Sequence, residues 1–409
     1  MASRNDRRIR RDRSRVYRRR RLFALLVVVV LVAAIAIAIA ATRGGGSAAA
    51  AGDKPGGTTT ATPSPASTAW TGAPSDKLEL QLRDVIVSSD ISPKSVVSSG
   101  AGYVFAQNMM YRHTITVYDT GTLELVETIS DRITLSDYGY KKKTGSVQGS
   151  PVEAAETPDH RFMYVSQYSM YGDGFYHQGA DACSPASGID DSYVYRVPID
   201  TLQIDRVIKV GAVPKFLAVT PDQKYLLVSN WCSYTLSVVD VRTSKELRQV
   251  YLGPYPRGIA VDPDSRYAYV AVMGTSDIAR VDLQDWGVSW IRGVGLGPRH
   301  IIMSPNGKKL YATLNSEGNI ARIDVAEQRV IDKVSTGSEP RSMAMAPDGK
   351  SLYVVNYGSN TMSKVRTSDM KVIQVVNTNA APIGVTYDAP TKSVWVCCYS
   401  GSIMVFYDR

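Results

Sequence analysis

The chain has 409 residues, with 47 Lys and Arg against 38 Asp and Glu, a formal net charge of +9, and only four Cys. That length holds at least one large domain, and so few cysteines exclude a small disulfide-stapled scaffold. Eleven Arg and two Asp crowd residues 1–21, so this stretch alone carries +9 and leaves 36 basic and 36 acidic residues elsewhere, a balance that gives no support to nucleic-acid binding by the rest of the chain.

Residues 1–21 are expected to be a basic cytoplasmic tail. Residues 22–41 carry no charge over twenty positions, long enough to cross a ~30 Å hydrocarbon core. We expect a transmembrane helix over residues 22–42. Arg on its N-terminal side keeps that side in the cytoplasm, so the rest of the chain is exported. A cleaved signal peptide is the rival, because Ala38-Ile39-Ala40 offers a small-residue cleavage site. Residues 43–75 are rich in Gly, Ala, Ser, Thr and Pro and read as a flexible linker. The expected location is a single-pass cell-membrane protein with residues 76–409 extracytoplasmic.

From Pro214 the chain repeats every 42 residues. Pro214, Pro256, Pro298, Pro340 and Pro382 each open the same phrase, as in Pro256-Arg257-Gly258-Ile259-Ala260-Val261-Asp262-Pro263. Pro93 and Pro151 open two longer units. Within the unit from Pro340, residues 341–345 alternate apolar and polar and form a first strand. Pro347-Asp348-Gly349-Lys350 is a turn, Pro presetting φ and Gly supplying positive φ. Residues 351–356, 361–366 and 371–376 are three further strands. A period of this length with four short strands per unit marks a seven-bladed β-propeller of four-stranded antiparallel blades. The last unit has room for three strands only, over 383–387, 393–399 and 402–407. Residues 78–86 supply the fourth, an N-terminal strand that closes the ring and removes its exposed edge.

Tyr353-Val354-Val355-Asn356-Tyr357-Gly358-Ser359-Asn360, after Pro347-Asp348-Gly349-Lys350, resembles the repeat of the YVTN β-propeller family. Ser304-Pro305-Asn306-Gly307-Lys308-Lys309-Leu310-Tyr311 and the Pro-Arg starts match it too. The resemblance covers the chain from about Pro93 and implies the fold. It implies no single activity, since the family includes binding proteins and propeller subunits of enzymes.

Two insertions, about 133–150 and 168–191, fall on the same face of the expected propeller, and loops on a rigid frame carry function. Five of the seven residues after the starting prolines are cations: Lys94, Lys215, Arg257, Arg299 and Arg341. They read either as a site for an anion or as ties between blades. Glu153 is the acidic candidate beside them. Asn230 and Asn356, at second-strand ends, are candidates to bind a ligand or to satisfy loop backbone. Trp231, Tyr357, His300 and the insertion tyrosines Tyr138, Tyr140, Tyr171 and Tyr176 complete the candidate ligand-binding set; such rings suit sugars or protein partners. Cys183 and Cys232, in equivalent loops of neighbouring units, are expected to form a disulfide if their Cα atoms come within about 7 Å.

No close-spaced His pair, Gly-x-Ser-x-Gly elbow, phosphate loop or Cys-x-x-Cys-His motif is present, so no catalytic residue, metal or cofactor is assigned. The expected function is a binding scaffold for a cell-envelope ligand or protein partner. The alternatives are a lactonase-like hydrolase or lyase using Glu153, Asn230, Asn356 and His300, and a propeller subunit of a redox complex.

Overall fold

The computed structural model describes residues 72–409. The expected tail, transmembrane helix and most of the linker lie outside the described residues. No helix among the described residues is long and apolar enough to cross a membrane.

The described chain is all-β and forms seven four-stranded antiparallel sheets. The regular units follow the sequence closely. The sixth sheet comprises Pro340–Met345, Ser351–Asn356, Thr361–Arg366 and Lys371–Asn377, paired in that order. Gly349 turns between the first two at φ +70°, and a Cβ there would lie 3.0 Å from Pro305 Cδ of the preceding unit. Glycine takes this conformation without strain, whereas Gln223 and Ser265 hold the equivalent turn position at φ 60° and 54°. The seventh sheet takes three strands from the C-terminus and its outer strand from Leu80–Val87 at the N-terminal end.

Each core lies between two neighbouring sheets. Leu227, Leu236 and Val238 of the third pack on Val270 and Val281 of the fourth, and Val104 and Ala106 of the first meet Trp395 and Cys397 of the seventh. Second strands such as Ser351–Asn356 are therefore buried on both faces and read as unbroken β-branched and aromatic runs. Fourth strands such as Lys245–Tyr251 are exposed and read as polar. The first strand of each sheet touches that of the next, and Ser95–Ser98 of the first touches Pro382–Asp388 of the seventh.

The seam where the two chain ends meet carries a feature without a sequence signal. Lys364 is fully buried, and its Nζ donates to Asp408 Oδ1 at 2.5 Å and to the Leu78 carbonyl at 2.8 Å. Tyr353 Oη donates to the other oxygen of Asp408. Ser75, expected at the end of the linker, is also buried, and its backbone N–H and Oγ both donate to Asp348 at 2.8 and 2.6 Å. The chain is thus held to the sixth sheet before the expected boundary at residue 76.

The two insertions pair with each other in a small sheet of Arg132–Thr134, Ser146–Gln148 and Tyr171–Gly172, which the repeat pattern does not reveal. Beside it, Asp131 is fully buried and neither carboxylate oxygen has a hydrogen-bond partner. Its main-chain oxygen accepts from Tyr195 Oη at 3.2 Å. Gln148 lies near the carboxyl without bonding geometry, and burial pushes this group up to about 8 despite Gln148 and Arg132.

Candidate ligand-binding cavity

Each 42-residue phrase builds the same local device. The residue before the proline adopts a left-handed backbone: Val213 at φ 56°, Tyr255 at 63°, Gly297 at 65°, Glu339 at 53° and Ala381 at 58°. Its carbonyl accepts from the N–H just past the second strand, as in Trp231 to Val213 and Tyr357 to Glu339, at 2.9 and 3.0 Å. Immediately after the proline the pairing register slips by one residue in six sheets. A bulge of this kind re-aims the side chain at the slipped position. Lys215, Arg257, Arg299 and Arg341 occupy such positions, and Lys94 enters the first sheet directly.

All five cations line one cavity of about 1270 Å³. Trp231, Tyr357 and Tyr171 line it too. Its remaining wall includes Tyr168, Tyr399, Asp181 and the methionines Met109 and Met273. Five sheets thus each contribute a cation, and the rest of the lining mixes aromatic and apolar side chains with Arg112, His113 and five serines.

The cations are not equivalent. Lys94 and Lys215 each have a carboxylate partner, Glu153 Oε2 at 3.7 Å and Asp181 Oδ1 at 3.1 Å. Lys215 Nζ also sits 4.3 Å from the Tyr168 ring centre and 4.9 Å from that of Trp231. Arg341 pairs with Glu339 at 3.1 Å and stacks 3.8 Å over Tyr357. Arg299 Nε donates to the Arg341 carbonyl at 3.0 Å. Among the described residues no carboxylate pairs with Arg257 or Arg299, which are 5% and 7% exposed.

Crowding shows in the titration of these groups. Burial pushes the Lys94 amine down to about 7, with Glu153 opposing and Arg257 and Arg299 adding to the effect. Burial, then Arg257, push Lys215 down to about 7 against Asp181. Burial lowers Arg257 as well, and burial with Arg257 and Arg341 takes Arg299 well below the usual arginine range.

Other sequence candidates lie elsewhere. Asn230 is buried, and its Nδ2 donates to Thr235 and Ser237 at 3.0 and 2.7 Å. Asn356 is buried and donates to the Thr336 carbonyl, Thr361 and Ser363 at 3.0 to 3.1 Å. Both amides tie strand ends together and neither lines the cavity. His300 lies beneath the wall. Met343 N–H donates to its Nδ1 at 3.1 Å, which puts the ring proton on Nε2, and burial pushes it down to about 3. Glu153 does not line the cavity; it pairs with Lys94, and its charge also acts on Arg257 and Arg299. The four residues of the hydrolase alternative therefore do not converge on the cavity. Tyr138 and Tyr140 donate to the Ile204 and Val207 carbonyls, both at 3.2 Å, and pack the first insertion onto the second sheet. Tyr176 is 78% exposed and outside the wall.

Asp181 is the residue that sequence reasoning missed. It lies in the second insertion, two positions before Cys183, which is disulfide-bonded to Cys232 with Cα atoms 5.4 Å apart. Trp231 Nε1 donates to its carbonyl at 3.0 Å. The disulfide and this bond carry the carboxylate to Lys215; the Cys pair was the available signal. Cys397 and Cys398 are free, buried thiols. No group of three or more His, Cys, Asp or Glu side chains suited to a metal occurs among the described residues.

The model of the YNCE-like beta-propeller family matches residues 179–396, a little over half of the chain. The chain belongs to this family. Among solved structures, this YNCE-like propeller is similar to Kuenenia stuttgartiensis Hydrazine Synthase, with a TM-score of 0.61 and 18% identity, over 78% of this chain and 96% of that one. At that identity the likeness concerns fold alone. No curated protein sequence matches the YNCE-like chain.

Proposed function

We propose that the protein is a binding scaffold whose cavity takes an anionic group, a carboxylate or phosphate, of a cell-envelope ligand. The carrying observation is the pair Arg257 and Arg299: two buried guanidiniums on one cavity wall without a carboxylate partner. Glu153 acts on both guanidiniums without pairing with either; buried charge held this way is costly, and a bound anion reduces that cost. The aromatic wall supports a ligand with a ring or apolar body beside its charge.

The same reading makes the chain a seven-bladed ring of YVTN-type repeats, anchored by residues 22–42 and held outside the cytoplasm. Contacts between successive first strands, including seventh to first, and the N-terminal strand of the seventh sheet support closure. The Cys183–Cys232 bond supports an oxidising compartment.

The test is calorimetric titration of the detergent-solubilised full chain with inorganic phosphate and with pyruvate, for the wild type and for R257A/R299A/R341A. Binding lost in the variant supports the anion site. Unchanged binding together with a lowered melting temperature makes these arginines structural and rejects it.

A further inference from the structure

The five equivalent positions hold three guanidiniums and two amines, and the difference has chemical content. A guanidinium keeps its charge, whereas a buried lysine readily gives up its proton and becomes a nucleophile. Lys94 is buried at the cavity wall with the Glu153 carboxylate 3.7 Å from its Nζ. Arg257 and Arg299 face the same space and are near enough for their charges to act on Lys94. Lys215 is placed differently. Burial lowers Lys215 as far as Lys94, so the two differ in what covers the Nζ: the faces of Tyr168 and Trp231 and the Asp181 carboxylate at 3.1 Å enclose that of Lys215.

From this arrangement we infer that Lys94 is a reactive amine that forms an imine with a 2-oxo acid whose carboxylate is held by Arg257 and Arg299. The inference rests on the cavity being an anion site. Nζ of the neutral amine attacks the carbonyl carbon, and the carbon–nitrogen bond forms. Glu153 takes one proton from the nitrogen of the adduct and passes it to the alkoxide, giving a carbinolamine. It then takes the second N–H proton and passes it to the hydroxyl, which leaves as water. One carbonyl and one amine become one imine and one water, with no change of oxidation state.

A lowered amine is what makes this step possible near neutrality. Burial and the two guanidiniums bring Lys94 down to about 7, so neutral amine is abundant there. The charges that lower it are the same charges that anchor the acid. A carbonyl compound lacking a carboxylate gains no such anchor, which sets the expected selectivity.

The experiment incubates the full chain with pyruvate and cyanoborohydride, digests it, and maps adducts by mass spectrometry. The expected result is one reduced pyruvate adduct on Lys94, absent from K94R and retained in K215R, with acetone giving at least tenfold less. The adduct is located on the wild-type peptide, so the result does not depend on the folding of K94R. Pyruvate that binds by calorimetry but leaves Lys94 unmodified overturns the imine and leaves the anion site standing. Pyruvate and phosphate that both fail to bind overturn the anion site and the imine together. Equal labelling of many surface lysines also overturns the inference.

Discussion

Replacing Asp131 by Asn should stabilise the protein more as pH rises. In the folded chain both oxygens are buried without a partner and the carboxyl is pushed up to about 8, against an ordinary value of 3.8. Folding at pH 7 must therefore place a proton on a group that is ionised in the unfolded chain. Folded Asp131 binds more protons than unfolded Asp131 between these two values, so its contribution to stability is intact below 3.8 and declines as pH climbs toward 8. At 1.36 kcal/mol per unit, the decline reaches about 4 kcal/mol at pH 7. Asn cannot ionise and escapes it. At about 2.1 cal/mol/K of unfolding entropy per residue, a domain of roughly 340 residues shifts about 1.4 °C per kcal/mol, so the gap between D131N and wild type should widen by about 5 °C from pH 4 to pH 7. The pH-independent difference between the amide and the protonated acid cancels in that comparison. Scanning calorimetry of both proteins across this range provides the measurement. A gap that stays constant would mean Asp131 is ionised and satisfied in the folded state, and the reasoning would fail.

Lys364→Met should cost about 3–5 kcal/mol, because it leaves Asp408 charged and buried at the seam of the chain ends; K364M/D408L should recover most of the loss in guanidinium titrations. Removing the Cys183–Cys232 bond by paired Ser substitution should cost up to about 4 kcal/mol for a 49-residue separation, read as a melting shift that added reductant reproduces in the wild type alone. Arg257→Ala should weaken phosphate or pyruvate binding by roughly 10- to 100-fold, matching about 1.5–3 kcal/mol for hydrogen bonds to a charged group, whereas E339A should weaken it little. An R257A affinity within twofold of wild type, measured by titration calorimetry, would remove that guanidinium from the site.

The repeats were legible because each requirement of the fold leaves its own residue. The turn at Gly349 needs positive φ beside Pro305, and strands packed on both faces need β-branched and aromatic runs. The cations after each proline were visible for the same reason, since a bulge recurs there with period 42. What those cations touch was not visible. Asp181 and Glu153 reach them from another unit, and the insertion sheet joins segments with no shared period. Asn230, Asn356 and His300 share chemistry with ligand-binding residues, but burial commits them to strand ends and backbone. Lys364 looked like any strand lysine until the two chain ends were brought beside it.

The bulge behind each proline separates what holds the scaffold together from what it displays. The left-handed residue before the proline and the carbonyl bond it makes fix the main chain, while the next side chain is free to differ, as Ile383 does where Lys215, Arg257, Arg299 and Arg341 are basic. A lineage can therefore rewrite the lining one slot at a time, altering polarity or reactivity without redesigning a single strand, and new specificity can emerge from a handful of codons.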